Sequence, residues 1–345
     1  MTVTAQSVLD RVQQTLQDTG GIRWSSTAEL ILWLNDAQRE IALLKPDATA
    51  VNTTVTLVDG TKQTIPTDGN RLLSVVRNMT GASKTYAVTV YVSSGSNKYF
   101  VDAAVQNLSL EEGGTYTFDQ SHSTNAGHPL RFSTTQHGTH NSGTEYTTGV
   151  TTNGTPGNAG AYTKITVPVG APTLYTYCTA HTGMGFTVTT DDFVGVGTRS
   201  VRLVSRDILD SLEPSWHDST VKGDAKHGAT VKHFMYDDQN PRNFYVYPGV
   251  SGTSRLEIVY SQNPPTIAAN ANLGVPDLYA TSIMHYILYM CYMKDSEFVA
   301  NQQRAGSHFN LFMSSVTGKS QIDMVTSPNA SSSQAQIQPQ MGGVA

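Results

Sequence analysis

Cys178, His181 and Met184 stand at C-x2-H-x2-M spacing in the stretch Cys178-Thr179-Ala180-His181-Thr182-Gly183-Met184. A thiolate, an imidazole and a thioether offered by one short loop form the C-terminal half of a blue-copper ligand set. When a second histidine joins, thiolate and imidazoles make a trigonal His2Cys site, and the thioether sits as a weak axial ligand. The bland alternative is a cysteine packed as a small apolar core thiol. The other residues with ligand chemistry have poorer spacing. His122, His137 and His140 lie in polar loops, and His285 and Cys291, at i and i+6 on an apolar helix, are expected to be core residues. Asp237-Asp238-Gln239-Asn240 lacks the glycine and distal glutamate of a calcium loop and is expected to form a turn before Pro241. No phosphate-binding, serine-hydrolase or zinc-protease motif occurs, so no catalytic residue is assigned and an enzyme is not expected.

At 345 residues the chain has room for two domains. Only 14% of its residues are charged, against roughly 25% in soluble domains generally. A polar, weakly charged surface suits a chain packed against copies of itself, although glycine-rich loops give the same composition. The net charge is −5, and without a basic run the footprint of a nucleic-acid binder is missing. The N-terminal residues lack the basic and apolar regions of a secretory signal. The longest apolar run, Ile283 to Met293, falls short of the ~20 residues that cross a bilayer. Two cysteines make no disulfide framework. A soluble chain from a reducing compartment, with no membrane partner, is expected.

The elements that would position the ligand loop follow from periodicity. Val8, Leu9, Val12 and Leu16 repeat at helical spacing, and Gly20-Gly21 closes that helix. Ser26-Thr27-Ala28-Glu29 has the capping-box pattern, opening a second helix that ends before Pro46. From Val51 the period becomes two. Asp59-Gly60 predicts a hairpin between its flanking strands, and residues 70–78 predict a further strand. Residues 84–190 alternate throughout, in short strands separated by Gly/Asn/Thr loops, the longest over 134–160; this pattern predicts an antiparallel sandwich. Residues 199–203 then predict a strand beside 70–78, residues 209–216 a turn or short helix, and 243–247 and 256–260 a second hairpin. Pro276-Asp277 opens a third long helix, apolar nearly all round, and a fourth spans 296–317 up to Gly318. The polar residues 326–345 predict a flexible tail.

With 84–196 set aside, the order is two helices, a small sheet and two more helices. The sheet carries Leu72-Leu73-Ser74-Val75-Val76-Arg77-Asn78-Met79, and Asp207 to Trp216 follows. Then come Tyr236 to Pro248, Tyr260-Ser261-Gln262-Asn263-Pro264-Pro265, Pro276-Asp277-Leu278-Tyr279 and Tyr286 to Asp295. Over roughly 1–80 and 198–325 this pattern resembles the head–tail adaptor (connector) proteins of short-tailed bacteriophages. The resemblance implies a virion protein at the head–tail interface, assembled in the host cytoplasm into a dodecameric ring below the portal protein. Helices would form the ring wall, the tail would reach onto the portal, and tail nozzle or fibre proteins would lie beyond. Double-stranded DNA would pass through the lumen on ejection without sequence-specific binding.

The segment over 84–190 is similar to cupredoxins of the plastocyanin and amicyanin type. Gly127-His128-Pro129-Leu130-Arg131-Phe132 stands where that family places its first copper histidine, and Tyr175-Thr176-Tyr177-Cys178 leads into the ligand loop. That match implies His128 and His181 as imidazole ligands of copper, Cys178 as the thiolate and Met184 as the axial thioether. Gly183 and Gly185 would let the loop close, whereas the long 134–160 loop departs from compact cupredoxins and would crowd or shield the site. The fold expected is therefore α+β. A helical-bundle frame with a small β-sheet (1–83 and 197–325) would carry an inserted all-β cupredoxin-like Greek-key sandwich (84–196), followed by the 326–345 tail. The function expected is a structural adaptor ring needing no cofactor, its insert bracing tail proteins or meeting a host surface. Two alternatives stand beside it: a copper-binding redox or carrier protein, and a surface or glycan-binding module.

Overall fold

The computed structural model describes residues 3–237 and 239–326 of the chain. Asp238 and the expected tail from 327 onward lie outside them. Helix α1 spans Ala5–Thr15 and buries Ala5, Val8, Leu9 and Val12, the stripe its periodicity predicts. The hydroxyl of Thr4 caps it, accepting from the Ser7 amide at 3.3 Å. Helix α2, Ile31–Leu44, is entered through a wide π-turn over Ser26–Leu30. The side chains of Ser26 and Thr27, which open the expected capping box, lie outside the described ones. Ser25, one residue earlier, accepts from the Ala28 amide, and the Glu29 carboxylate pairs with Lys294, an ion pair between distant segments that no local pattern reveals.

Strands β1 (Ala50–Thr56), β2 (Gly60–Thr64) and β3 (Gly69–Thr80) follow. Nine more strands then lie between 83 and 191: β4 Ser83–Ser93, β5 Ser96–Val101, β6 Leu108–Glu111, β7 Thr115–Asp119, β8 Leu130–Ser133, β9 Val150–Asn153, β10 Tyr162–Thr166, β11 Leu174–Cys178 and β12 Thr187–Asp191. They form two sheets, ordered β5-β4-β7-β10-β9 and β6-β12-β11-β8. Pairing is antiparallel except for β4 with β7 and β6 with β12. Tyr99, Leu110, Phe118, Leu130, Phe132, Ile165 and Val188 fill the space between the sheets at full burial. In β4, β5, β6, β7 and β10 alternate positions point inward, as a half-buried strand requires.

The chain continues through β13 (Val196–Ser200), β14 (Arg202–Leu203), helix α3 (Arg206–Leu212), β15 (His233–Tyr236), β16 (Asn243–Val250), β17 (Arg255–Gln262), α4 (Ala280–Lys294) and α5 (Val299–Thr326). Two further sheets result, β1-β17-β3-β13 and β14-β15-β16-β2. Neither predicted hairpin forms. β1 pairs with β17 and β2 with β16, so each expected hairpin is a ribbon bent from one sheet into the other. The two bends run side by side: Leu57 donates its amide to the Ser254 carbonyl at 2.9 Å, and Gly252 donates to the Asp59 carboxylate at 3.0 Å. Gly60, at φ 106°, makes the corner, and the amide of buried Gln63 bridges it with bonds to both backbone groups of Val58. The strand expected over 199–203 is likewise divided, since β13 pairs with β3 while β14 joins β15.

Leu72, Val75, Phe244, Val246, Leu256 and Ile258 close the space between these two sheets. A separate apolar cluster unites α1, α2, α4 and α5 through Leu9, Leu34, Ile41, Ile283, Ile287 and Phe312. Gly318 does not end α5. A side chain there would meet nothing within 4 Å, and one glycine costs about 1 kcal/mol, too little to stop a helix anchored by buried Phe312 and Val316. Among the described residues no helix is long and apolar enough to cross a membrane.

Candidate metal centre

Two adjacent strands bring the ligand residues together. In the β8–β11 pairing Cys178 lies opposite Leu130, two residues beyond His128, and the Thr179 amide extends the ladder to the Pro129 carbonyl at 3.1 Å. The backbone of His128 is held from three sides. Its amide donates to the Asn125 carbonyl at 2.9 Å, while its carbonyl accepts from the Tyr99 hydroxyl and the Gln120 amide, each at 2.9 Å. Burial keeps the Tyr99 phenol protonated well above its ordinary range, with the neighbouring Cys178 acting in the same direction, so it stays a donor.

Beyond Cys178 the chain turns through Gly183, at φ 75°. Gly185 follows, where any Cβ would fall 1.7 Å from the Thr176 carbonyl oxygen. That contact admits only glycine. Strand β5 holds the far side of the loop: the Tyr99 amide donates to the Met184 carbonyl at 3.1 Å, and the Lys98 ammonium donates to the Gly183 carbonyl.

The Cys178 sulfur lies 3.9 Å from Nδ1 of His128 and 3.7 Å from Nδ1 of His181. All three donor atoms fall within 4.8 Å of one another, and the two imidazole rings are 4.6 Å apart, tilted by 46°. Metal–sulfur and metal–nitrogen bonds of about 2.3 and 2.0 Å, meeting at 120°, separate sulfur from nitrogen by about 3.7 Å. Both sulfur–nitrogen separations therefore match those around a single trigonally bound ion. Cys178 is fully buried, His128 half-buried and His181 exposed. Met184, 2% exposed, packs in the same apolar cluster as Cys178. Burial, and then the proximity of His181, lower the pKa of His128 and favour the neutral imidazole that can donate a lone pair.

The remaining histidines of this region fall outside the trio. His122 caps the short turn after β7 through Thr124, with Nδ1 2.9 Å from its hydroxyl. His137 takes a left-handed backbone (φ 66°) and lines a groove with Asn107 and Tyr175. The 134–160 loop does not insert a side-chain donor among the three, but His140 sets Nε2 2.8 Å from the Cys178 carbonyl oxygen. Tyr99, Gln120 and His140 thus support the centre from positions that no local spacing connects to it. Elsewhere, the Asp237 carboxylate accepts from the amides of Gln239 and Asn240, the turn expected before Pro241. Cys291 is buried on α4, its thiol pushed up to about 12 by burial.

Comparison with known proteins bears on the whole chain, the 84–196 segment included. The profile of the SU10 adaptor protein family matches residues 3–181 and 143–332, well over half of the sequence. The chain belongs to the SU10 adaptor protein family. None of the curated proteins searched matches it. Members of this adaptor family are structural proteins of bacteriophages and components of the virion. The adaptor residues singled out in the sequence tie its segments together. Asn78, 4% exposed, donates to the carbonyls of Arg199 (2.9 Å) and Val231 (2.8 Å) and accepts from the Val231 amide (2.8 Å). Trp216 is fully buried, donates to the Asp210 carboxylate at 2.8 Å and stacks on His217 at 3.7 Å. That hydrogen bond, followed by the Arg206 charge, holds the Asp210 carboxyl below the usual carboxylate range.

Proposed function

We propose that this adaptor works at the head–tail interface as a dodecameric ring that joins the portal protein to the tail and forms part of the DNA channel. Family membership carries the reading. The helical layer supports it, because Leu32 (58%), Leu43 (69%), Phe298 (66%), Val299 (69%) and Leu311 (48%) expose large apolar side chains on or next to α2 and α5. Apolar surface of this kind is stabilised when a neighbouring subunit covers it. The net charge of −5 suits a conduit through which phosphates slide without being gripped. Native mass spectrometry of the purified chain, alone and with purified portal protein, tests the proposal. A closed ring in either sample is expected, and a monomer in both overturns it.

The trio of donor atoms favours a second activity on the same molecule. In this reading 84–196 is a cupredoxin-like module whose His128, Cys178 and His181 hold one copper ion, with Met184 as the axial ligand. Soft thiolate and neutral imidazoles fit copper, and the 3.7 and 3.9 Å sulfur–nitrogen separations leave room for it. When bound, copper would supply a one-electron centre at the surface reached by His181. Titrating the reduced protein with copper should give an intense thiolate-to-copper absorption band that saturates at one ion per chain and is lost in Cys178→Ser. No band in the wild-type protein would leave the trio as packing alone.

A further inference from the structure

We infer that His140 is a positioning residue for this metal centre, setting the aim of the Cys178 thiolate through its peptide group; the inference rests on the copper reading above. The peptide between Cys178 and Thr179 is the corner where strand β11 becomes the ligand loop. Its two polar ends are held by different segments: the Thr179 amide donates to Pro129, next to His128, and the Cys178 carbonyl accepts from His140. A carbonyl can only accept, so His140 must carry its proton on Nε2. Fixing both ends of that peptide fixes its plane, and with it the Cα–Cβ direction that sends the sulfur between His128 and His181. Without His140 the plane is held at its nitrogen end alone.

The loop that presents His140 is a built support. Gly138, at φ 56°, lies flat against Tyr177, where a Cβ would come within 2.5 Å of the ring. It donates to the Thr135 carbonyl at 2.9 Å and accepts from the Gly143 amide at 3.0 Å. The loop returns to β8 through the Ser133 hydroxyl on the Thr144 carbonyl (2.7 Å) and the Arg131–Glu145 ion pair (3.2 Å). The His140 ring then stands edge-on to Tyr177, 6.4 Å away at 84°. The loop that departs from compact cupredoxins thus delivers one donor to the backbone of the thiolate ligand. Such outer hydrogen bonds orient ligands, and losing one typically weakens metal affinity 10- to 100-fold. The N–H also offsets the negative end of the Cys178 carbonyl dipole beside the thiolate, which favours the lower oxidation state and raises the reduction potential.

The test uses the full-length chain as wild type, His140→Ala and His140→Gln, the last retaining an N–H donor. In wild type loaded with copper, the absorption band, the copper affinity by chelator competition and the reduction potential set the reference. His140→Ala is expected to lose about 10- to 100-fold in affinity, to shift the band and to lower the potential. His140→Gln is expected to recover most of each. In the metal-free proteins, the Thr179 amide should exchange its hydrogen faster in His140→Ala than in wild type, with an unchanged melting temperature. A wild-type band together with unaltered affinity, band and potential in His140→Ala overturns the role of His140 and leaves the copper reading standing. Equal Thr179 exchange in the metal-free pair overturns it as well. No band in wild type overturns both.

Discussion

His285 on α4 and His308 on α5 face each other with their Nδ1 atoms 3.1 Å apart, and His308 stacks on Tyr292 at 5.7 Å, nearly coplanar at 7°. Arg304 lies over the other partner of that stack, 5.7 Å from the Tyr292 ring. A contact between two imidazole nitrogens holds one proton, so one ring donates and the other accepts. A second proton would set two donors against each other. Burial lowers the pKa of both groups, and the charge of His285 lowers that of His308 further. A histidine whose folded pKa lies below its unfolded value near 6.5 stabilises the fold fully above that pH, and the contribution is lost as the pH falls through the folded value. Melting temperature is therefore expected to drop as buffers are taken from about pH 8 to pH 5. His128, His217 and His233 are shifted in the same direction and share the slope. His308→Leu should flatten it by removing both the titrating group and the partner of His285. A pH profile of melting temperature parallel to that of wild type would show that the pair contributes nothing.

At the scale of elements, what a local pattern encodes was legible, and what depends on distant partners was not. The apolar stripes of α1 and α2 lie where their spacing puts them, and 70–78 sits inside β3, because burying one face is a property of the segment itself. Asp59-Gly60 signals a reversal but does not name the strand that pairs afterwards. Its flanks go to different sheets because β16 and β17 bend beside them, nearly two hundred residues away. The same limit applies at the candidate centre. Cys178, His181 and Met184 share one loop, so their relation is written in spacing, and His128 came from the resemblance of its flanking residues. Tyr99, Gln120 and His140 bear on the centre only through strand neighbours, and isolated tyrosines, glutamines and loop histidines carry no such signal. Glu29 illustrates the cost of reading locally: a residue suited to a helix cap serves an ion pair with Lys294.

For the molecule as a whole, the question is whether 84–196 is a separable passenger on the adaptor. Its entry and exit are neighbours, since β13 pairs with β3 through Val196 with Thr80 and Gly197 with Met79. Removing 84–196 would leave residues 80–83 as a short loop closing the Met79–Gly197 pair, and four-residue loops are common hairpin connections. The contacts that would be lost are few and lie at the seam. Gly81 sits so close to the 111–114 turn that a Cβ would be 2.0 Å from the Gly113 carbonyl oxygen. Arg255, from β17, stacks its guanidinium 4.4 Å over the Phe193 ring. A stack of this kind contributes about 0.5–2 kcal/mol, little beside the apolar clusters on either side, which share no residue. The chain lacking 84–196 is thus expected to fold, to keep its helical content by circular dichroism and to form the same oligomer as the full chain by native mass. Its melting temperature should lie within about 4 °C of the parent, the shift that 1 kcal/mol produces in a domain of this size. An aggregated product, or a monomer where the full chain forms a ring, would mean that the sheets of 84–196 complete the adaptor's own core, and the division of the chain into frame and passenger would have to be abandoned.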